Sequence, residues 1–336
     1  MKAAFITGVN GQDGSYLSEY LLENEYQVYG LVRAKSMSNT SRIDHIMSDN
    51  FTILYGDVTD SNSLYKCIDK ISKNHTYLEV YHLAAQSHVK VSYDLPEYTC
   101  EVNAMGTLKV LETCRKFMDK MTIKIYFAGT SELYGEVKEI PQDENTPFNP
   151  CSPYSISKQF AFYMCKNYRE SYGMFISCGI LFNHESPRRG AEFVTKTITD
   201  AVNKSGYVEL GNIDSSRDWG HAKDYVRAMH LMLQADKPDD FVIATGETHT
   251  VREFVYKAFK LKGVDITWVG ERGTLEETGI DQNGITRVKI NTEKYRPVDV
   301  CYLLGNPKKA REVLGWELTV TFDELIKEMI TDKKNE

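Results

Sequence analysis

The chain predicts an α/β fold, a doubly wound parallel sheet with helices on both faces and a smaller, discontinuous α/β lobe beside it. Short apolar runs alternate with amphipathic stretches from residue 3 to residue 181. That rhythm calls for parallel strands joined by covering helices. A glycine-rich turn sits between the first run and the first amphipathic stretch, as in Rossmann-like sheets. The 336 residues also exceed the roughly 250–300 at which a single core stops growing, which implies two lobes.

Taken in order, strands are expected at 3–7, 27–32, 51–55, 78–83, 123–128 and 175–181. Helices are expected at 15–24, 61–74 and 99–118, the last because Leu108, Leu111, Cys114 and Arg115 recur at helical spacing. Ser152 and Pro153 have the chemistry of a cap and a first-turn residue, opening a helix that Gly173 ends. After Phe182 the rhythm breaks, and 183–220 and 265–300 read as glycine-containing loops. Between and beyond them, helices are expected at 224–233, 251–262 and 322–331 and a strand at 241–244. This gives one lobe from 1–182 plus about 221–262 and a second from about 183–220 plus 263–336.

Composition narrows the function. With 42% hydrophobic, 11% aromatic and 26% charged residues, the chain has material for a core and is not of the disordered class. A net charge of −7 argues against nucleic acid or an anionic membrane as partner. No apolar run approaches the roughly 18 residues of a membrane span, and the apolar start at 3–6 is too short for a signal peptide. Seven cysteines without CxxC spacing read as reduced thiols of a cytoplasmic protein, and neither they nor the eight histidines show metal-ligand spacing.

Gly8, Gly11 and Gly14 follow the first strand as GxxGxxG, with Asn10, Gln12 and Asp13 between them. Glycine lets backbone approach a pyrophosphate at a helix amino terminus, so this turn is expected to hold a dinucleotide. An acid at the end of strand two would take the ribose 2′-hydroxyl, whereas Arg suits a 2′-phosphate. The residue is Arg33, with Lys35 and Arg42 nearby, which favours NADP; the alternative is a solvated surface charge. Asp57 and Val58, past strand three, are placed to meet the adenine. Leu83, Ala84, Ala85, Gln86 and Ser87, past strand four, would pass beneath ribose and pyrophosphate. Ser36 and Tyr98 complete the expected cofactor contacts.

Tyr154 and Lys158 are four apart, hence on one helix face. The helix amino terminus and the neighbouring ammonium both favour a phenolate, so the pair is expected to have a lowered tyrosine pKa and to act as a base. Thr130 and Glu132 are two apart after strand five and share a side in extended chain. A simple alcohol dehydrogenase needs hydroxyl, phenol and lysine; the extra carboxylate suggests proton removal at carbon as well.

These motifs resemble the extended short-chain dehydrogenase/reductase family, and within it the nucleotide-sugar dehydratases that act on GDP-mannose. The matching segments are TGVNGQDGSYL at 7–17, LAAQSHVKVS at 83–92, TSELYG at 130–135, SPYSISK at 152–158, GILFNHESPRRG at 179–190, RDWGHAKDYV at 217–226, FVIATGE at 241–247 and YRP at 295–297. They span nearly the whole chain, and ILFNHESPRRG is long and unusual. Ser131-Glu132 follows the GDP-mannose pattern, whereas dTDP-glucose dehydratases usually carry Asp-Glu there.

The resemblance implies GDP-mannose as substrate, NADP as cofactor, and an internally redox-neutral 4,6-dehydration. Tyr154 would take the 4-hydroxyl proton, Thr130 hold the C4 oxygen, Glu132 remove the C5 proton and help expel the 6-hydroxyl, and Lys158 bind the nicotinamide ribose. His184 and Arg189 match cofactor positions. Asn183, Arg217 and Arg296 match sugar-nucleotide positions, with Ser87, Ser131 and Val194 in the same set. Two departures stand out. Lys196 is followed by Thr197 where the family often has a second basic residue to contact phosphate, and Asp299, which matches the position that contacts guanine or ribose, stands where Glu is usual. The loop from Arg33 to Arg42 typically reaches a neighbouring subunit in this family, which implies a dimer or tetramer.

A 4-ketoreductase or epimerase on the same fold is the alternative, and it would have no use for Glu132. A reductase side activity is chemically open, since a bound reduced cofactor could act on the 4-ketone. A silent NADP-binding sensor would be expected to lack Tyr154 or Lys158.

Overall fold

The computed structural model describes residues 2–34, 40–295, 298, 300 and 302–331. Lys35, Ser36, Arg296 and Asp299 therefore lie outside the described residues.

The central sheet has seven strands, all paired in parallel: β1 (Ala3–Thr7), β2 (Gln27–Val32), β3 (Phe51–Tyr55), β4 (Tyr77–His82), β5 (Thr122–Ala128), β6 (Phe175–Leu181) and, after further elements, β11 (Asp240–Ile243). Their spatial order is β11-β6-β5-β4-β1-β2-β3. The chain winds outward in both directions from β1 and β4, so the switch point lies between them, where ligands of such sheets bind beyond the strand ends.

Period-two alternation feeds two cores. Phe5, Val80, Ile125 and Ile176 point to one face, under α2 (Ser61–Ser72), α5 (Gly106–Arg115) and α6 (Pro153–Tyr172). Ala4, Ile6, Tyr81 and Tyr126 point to the other, under α1 (Gln12–Glu23), α8 (Ala222–Gln234) and α10 (Lys308–Leu314), where Trp316 is fully buried. Both faces of the inner strands are thus covered, which is why their runs are mostly apolar.

Before α5, the chain forms α3 (Val89–Asp94) and α4 (Pro96–Cys100), then a π-helical turn at Glu101–Met105. The expected helix at 99–118 is therefore interrupted. The wide turn directs the buried Asn103 amide at Gln86 O (3.0 Å) and Ser157 Oγ (3.1 Å), a demand that helical spacing does not reveal.

The smaller lobe has more regular structure than its glycines suggest. Helix α7 (Val194–Asn203) lies in the expected loop region, as do β7 (Asn183–Glu185), β8 (Val208–Leu210), β9 (Ser216–Arg217) and β10 (Trp219–His221). The strands β13 (Thr267–Val269), β14 (Thr278–Ile280) and β15 (Thr286–Ile290) form a sheet ordered β13-β14-β15-β8. These strands are three to five residues long, too short to show a period. β12 (His249–Thr250) pairs with β9. A third core gathers Ile198, Val208, Phe254, Val288 and Ile326 from α7, β8, α9 (Val251–Lys260), β15 and α11 (Phe322–Thr331). Helix α9, expected with the large lobe, thus packs in the small one, while Ala310 and Trp316, expected in the small lobe, pack in the large one.

Among the described residues, no helix is long and apolar enough to cross a membrane.

Candidate active site

One cleft of about 1480 Å³ runs along the carboxyl ends of β1, β4, β5 and β6 and into the small lobe. That exceeds the roughly 300–1,000 Å³ of a single-ligand pocket and leaves room for two ligands side by side.

Its floor is the turn after β1. Gly8 has φ +74°, and a Cβ there would lie 2.9 Å from Ala84 N. A Cβ on Gly14 would lie 2.6 Å from Val9 Cα. The glycines let helix α1 begin hard against β1, so its free N–H groups face the cleft. Thr7 ties this turn to the one after β4, accepting from Leu83 N (3.2 Å) and Ala84 N (3.1 Å). Its hydroxyl donates to His82 Nδ1 (2.8 Å), because His82 Nε2–H donates to Thr107 Oγ1 (3.0 Å), whose own proton goes to Asn103 O (2.6 Å). Burial, aided by the Lys158 charge, pushes the His82 pKa down to about 3, so this histidine is neutral. Sequence reasoning missed this frame; Thr7, His82 and Thr107 become neighbours only through the parallel register of β1 and β4.

Gly8, Asn10, Gly11, Gln12, Asp13, Gly14, Arg33, Asp57, Val58, Leu83, Ala84, Ala85, Ser87 and Tyr98 all line the cleft. Arg33 Nη1 donates to Tyr98 OH at 2.7 Å, bringing together two residues separated by the whole first half of the sheet. Gln86 is not among the lining residues. Its amide donates to His88 O and Thr99 Oγ1 (3.1 Å each), and its carbonyl accepts from His88 N (2.7 Å), so it shapes the turn instead.

The amino-terminal half of helix α1 is also bolted to the segment after β6. His184 receives attention at both ring nitrogens, from Phe182 O (2.8 Å) and Asp13 Oδ2 (2.9 Å), and stacks on Tyr225. Burial would lower its pKa, but the Asp13 carboxylate raises it overall. Burial likewise opposes the charge on Asp13, and His184 holds its pKa below the usual value. Ser186 Oγ donates to Gln12 Oε1 (2.8 Å), and Arg188 donates to Ser15 Oγ (3.0 Å) and Glu19 Oε1 (2.6 Å). Arg189 Nε lies 3.0 Å from Glu185 Oε2, with its guanidinium over the Phe193 ring.

At the cleft centre, Ser152 and Ser155 form a reciprocal capping box that starts α6, with Pro153 first and Tyr154 next. Lys158 follows one turn later and donates to Ala128 O at 2.9 Å. Burial pushes the Tyr154 phenol up to about 12; a hydrogen bond to Thr130 and the charge of Arg189 work against that, and Glu132 adds to it. Burial pulls the Lys158 ammonium down to about 8. The expected depression of the tyrosine is therefore absent. The lysine serves a carbonyl, and desolvation outweighs the cations near the phenol.

Thr130 and Glu132 reach the cleft by a different route from the one expected. Thr130 is extended, but Ser131–Leu133 is one 3₁₀ turn, capped by Thr130 Oγ1 accepting from Glu132 N at 3.2 Å. The hydroxyl that would hold a substrate oxygen thus also fixes the carboxylate's backbone. Thr130, Ser131, Glu132, Tyr154 and Lys158 line the same cleft. So do Asn183, His184, Arg189, Val194 and Arg217, and Lys196 is salt-bridged to Asp200 instead. Lys90, Arg188, Glu192 and Glu209 line it as well and were not singled out from sequence. Among the described residues, no group of three or more His, Cys, Asp or Glu could hold a metal.

Comparison with known proteins fits this geometry. The family model described as GDP-mannose 4,6 dehydratase matches residues 5–329. GDP-mannose 4,6 dehydratase 2 of Caenorhabditis elegans is 52% identical over 342 residues, covering 98% of this chain and 88% of that one. The Homo sapiens GDP-mannose 4,6 dehydratase is 50% identical over 343 residues, covering 97% and 90%. Among solved structures, Thermus thermophilus UDP-glucose 4-epimerase in complex with NAD superposes with a TM-score of 0.81 at 26% identity, covering 98% and 97% of the two chains. The Bacillus anthracis dTDP-glucose 4,6-dehydratase, also in complex with NAD, gives 0.80 at 20% identity, covering 98% and 96%, and so speaks to the fold alone. Sheet order, reaction-site residues and full-length similarity converge, and the chain belongs to the GDP-mannose 4,6-dehydratase family.

Proposed function

We propose that this chain converts GDP-mannose to GDP-4-dehydro-6-deoxy-mannose with loss of water, the large lobe holding NADP and the small lobe the GDP-sugar. The observation that carries the reading is the convergence of a phenol and a separate carboxylate, Tyr154 and Glu132, on one cleft beside a dinucleotide-type glycine turn.

The glycine turn fits the cofactor, because side chains at Gly8 or Gly14 would collide with backbone where the pyrophosphate approaches. Arg33, with Tyr98 as its partner, stands where a 2′-phosphate would be met. When bound, NADP would supply the acceptor and later the donor of one hydride, with Gly8, Gly14 and Arg33 among the residues that would hold it. Tyr154 removes the 4-hydroxyl proton while Thr130 holds that oxygen. The 4-ketone acidifies the C5 hydrogen, and Glu132 takes that proton and delivers one to the departing 6-hydroxyl. Both steps are proton transfers by positioned groups. Lys158, pinned against Ala128 O, presents its remaining donors to the nicotinamide ribose. Arg217, buried and anchored on Ser216 O at 2.9 Å, faces the diphosphate.

Self-association belongs to the same reading. Helix α6 presents Ile156, Phe160 and Tyr163 to solvent along one face, and the helices beside it expose Leu95 and Met105. Such a contiguous apolar face suits a second copy of the chain.

The deciding assay incubates the protein with GDP-mannose and catalytic NADP, without reductant. The expected result is a 4-keto-6-deoxy product with no net change in cofactor oxidation state. Unchanged GDP-mannose, or conversion only with added NADPH, overturns the reading in favour of a sensor or a reductase.

A further inference from the structure

We infer that Asp218 is a positioning residue for the sugar nucleotide: buried behind the cleft wall, it pins the strand that carries Arg217 to the edge of the central sheet and so fixes the guanidinium at the diphosphate. This rests on the function proposed above, and the experiment below separates its failure from that of the function.

Arg217 and Asp218 are consecutive and serve different sides of the wall. Arg217 lines the cleft, whereas Asp218 is fully buried and is not among the lining residues. Asp218 therefore acts on a ligand only through its neighbours.

Its carboxylate joins three pieces of chain. Oδ1 accepts from Thr245 N and Thr245 Oγ1 at 2.8 Å each. Oδ2 accepts from Gly246 N at 3.0 Å and Gly305 N at 3.4 Å. Thr245 and Gly246 come just after β11, which pairs with β6 in the central sheet. A Cβ on Gly305 would lie 2.3 Å from Ala244 Cβ and 2.8 Å from the Phe182 ring, so this glycine seats its segment on the ends of β11 and β6. All these donors thus stand on the sheet edge of the large lobe.

The strand around Asp218 passes this fixity on to Arg217. Ser216 O accepts from Leu303 N at 3.3 Å, and Leu303 belongs to the core of the large lobe. On the other side Trp219 pairs with Asn183, itself a cleft residue. Arg217 Nη1 donates to Ser216 O, so the guanidinium is anchored on its own strand and moves with it. One peptide bond separates the residue that meets the diphosphate from the residue that ties the strand down.

The site calls for a carboxylate. Burial pushes the Asp218 pKa up to about 6, with the backbone and hydroxyl donors working against it. A buried charge of this kind is weak evidence for stability, and fixing one geometry is a better account of it. An amide in its place has a single accepting oxygen. Its N–H groups would face either the two Thr245 donors or the two glycine N–H groups, and one side of the joint would open.

The test is a double-mutant cycle on the full chain, read by calorimetric titration with GDP and with NADP and by steady-state kinetics with GDP-mannose. Asp218→Asn should raise the Kd for GDP and the KM for GDP-mannose about 10- to 100-fold, the scale of a hydrogen bond to a charged group. Its kcat should stay within about threefold, because the lost binding is shared by ground state and transition state. NADP affinity should match wild type. In an Arg217→Met background, Asp218→Asn should add less than about twofold, because the group it positions is gone. Thr245→Val removes one donor and leaves the backbone, and should weaken GDP binding about two- to tenfold, again only while Arg217 is present. Should Asp218→Asn lose NADP binding, and with it the fold, Thr245→Val decides through the same cycle. Losses that multiply with that of Arg217→Met, or wild-type GDP affinity in the variant that decides, overturn the inference. If wild type binds no GDP, the inference falls together with the proposed function, a distinct outcome from the first.

Discussion

Replacing Gly14 by Ala should cripple dinucleotide binding, and the structure sets the scale. The new Cβ would lie 2.6 Å from Val9 Cα and 2.7 Å from Val9 C, and closer still to the Gly8 carbonyl oxygen. Ordinary carbon contacts begin near about 3.5 Å, so the overlap approaches 1 Å. All three neighbours are backbone and cannot rotate away. The start of α1 must retreat by a comparable distance, carrying its N–H groups away from the pyrophosphate. Loss of one hydrogen bond to a charged group costs about 1.5–3 kcal/mol, which is roughly a 10- to 100-fold rise in Kd. Gly11→Ala is the control, because its Cβ meets only Gly8 O, at 3.2 Å. It should change Kd by less than about threefold, the scale of a few tenths of a kcal/mol. NADP titration by calorimetry, with thermal melting alongside, measures both. Equal affinities for the two variants would refute the argument that α1 is seated by the absence of a side chain at position 14.

Glu132→Gln should lower kcat by about 10²- to 10⁴-fold, the usual share of a positioned proton-transfer group, while a first-turnover reduction of the cofactor remains visible by absorbance; near-normal turnover would remove Glu132 from the chemistry. His184 and Asp13 form a pH-dependent bolt. Because the folded pKa of His184 is raised, its contribution is complete below the unfolded value of about 6.5 and fades as pH rises through the folded pKa. Urea titrations should therefore show His184→Gln losing more stability at about pH 6 than at about pH 9, and equal losses would contradict the pairing. Phe160→Glu places a charge in the exposed apolar face of α6 and should yield monomers by size-exclusion chromatography with light scattering; an unchanged assembly would place the contact elsewhere.

How far the sequence speaks depends on the length of each element. β1, β6 and α6 are read correctly because β1 and β6 are five and seven residues of nearly unbroken burial and α6 is a long helix opened by Ser152-Pro153 and ended by Gly173. The Ser152–Pro153 start is a local signal, and the capping box realises it. Strands β7 to β10 leave no period in two or three residues and emerge only through pairing, as when Trp219 meets Asn183. The π turn at Glu101–Met105 answers to Asn103, whose partners Gln86 and Ser157 are distant in sequence. In the site, spacing brought out Tyr154 with Lys158 and Thr130 with Glu132. It could not foresee that desolvation would raise the phenol, nor that a 3₁₀ turn would carry the carboxylate. Gln86 shows the converse: a residue inside a cleft-forming motif can spend its side chain on the motif's own shape.

The bonds from Gln12, Ser15 and Glu19 to Ser186 and Arg188 fasten the first crossing between lobes to the helix beneath the dinucleotide. Any rearrangement of the small lobe that leaves these bonds intact therefore leaves the seat of the glycine turn undisturbed.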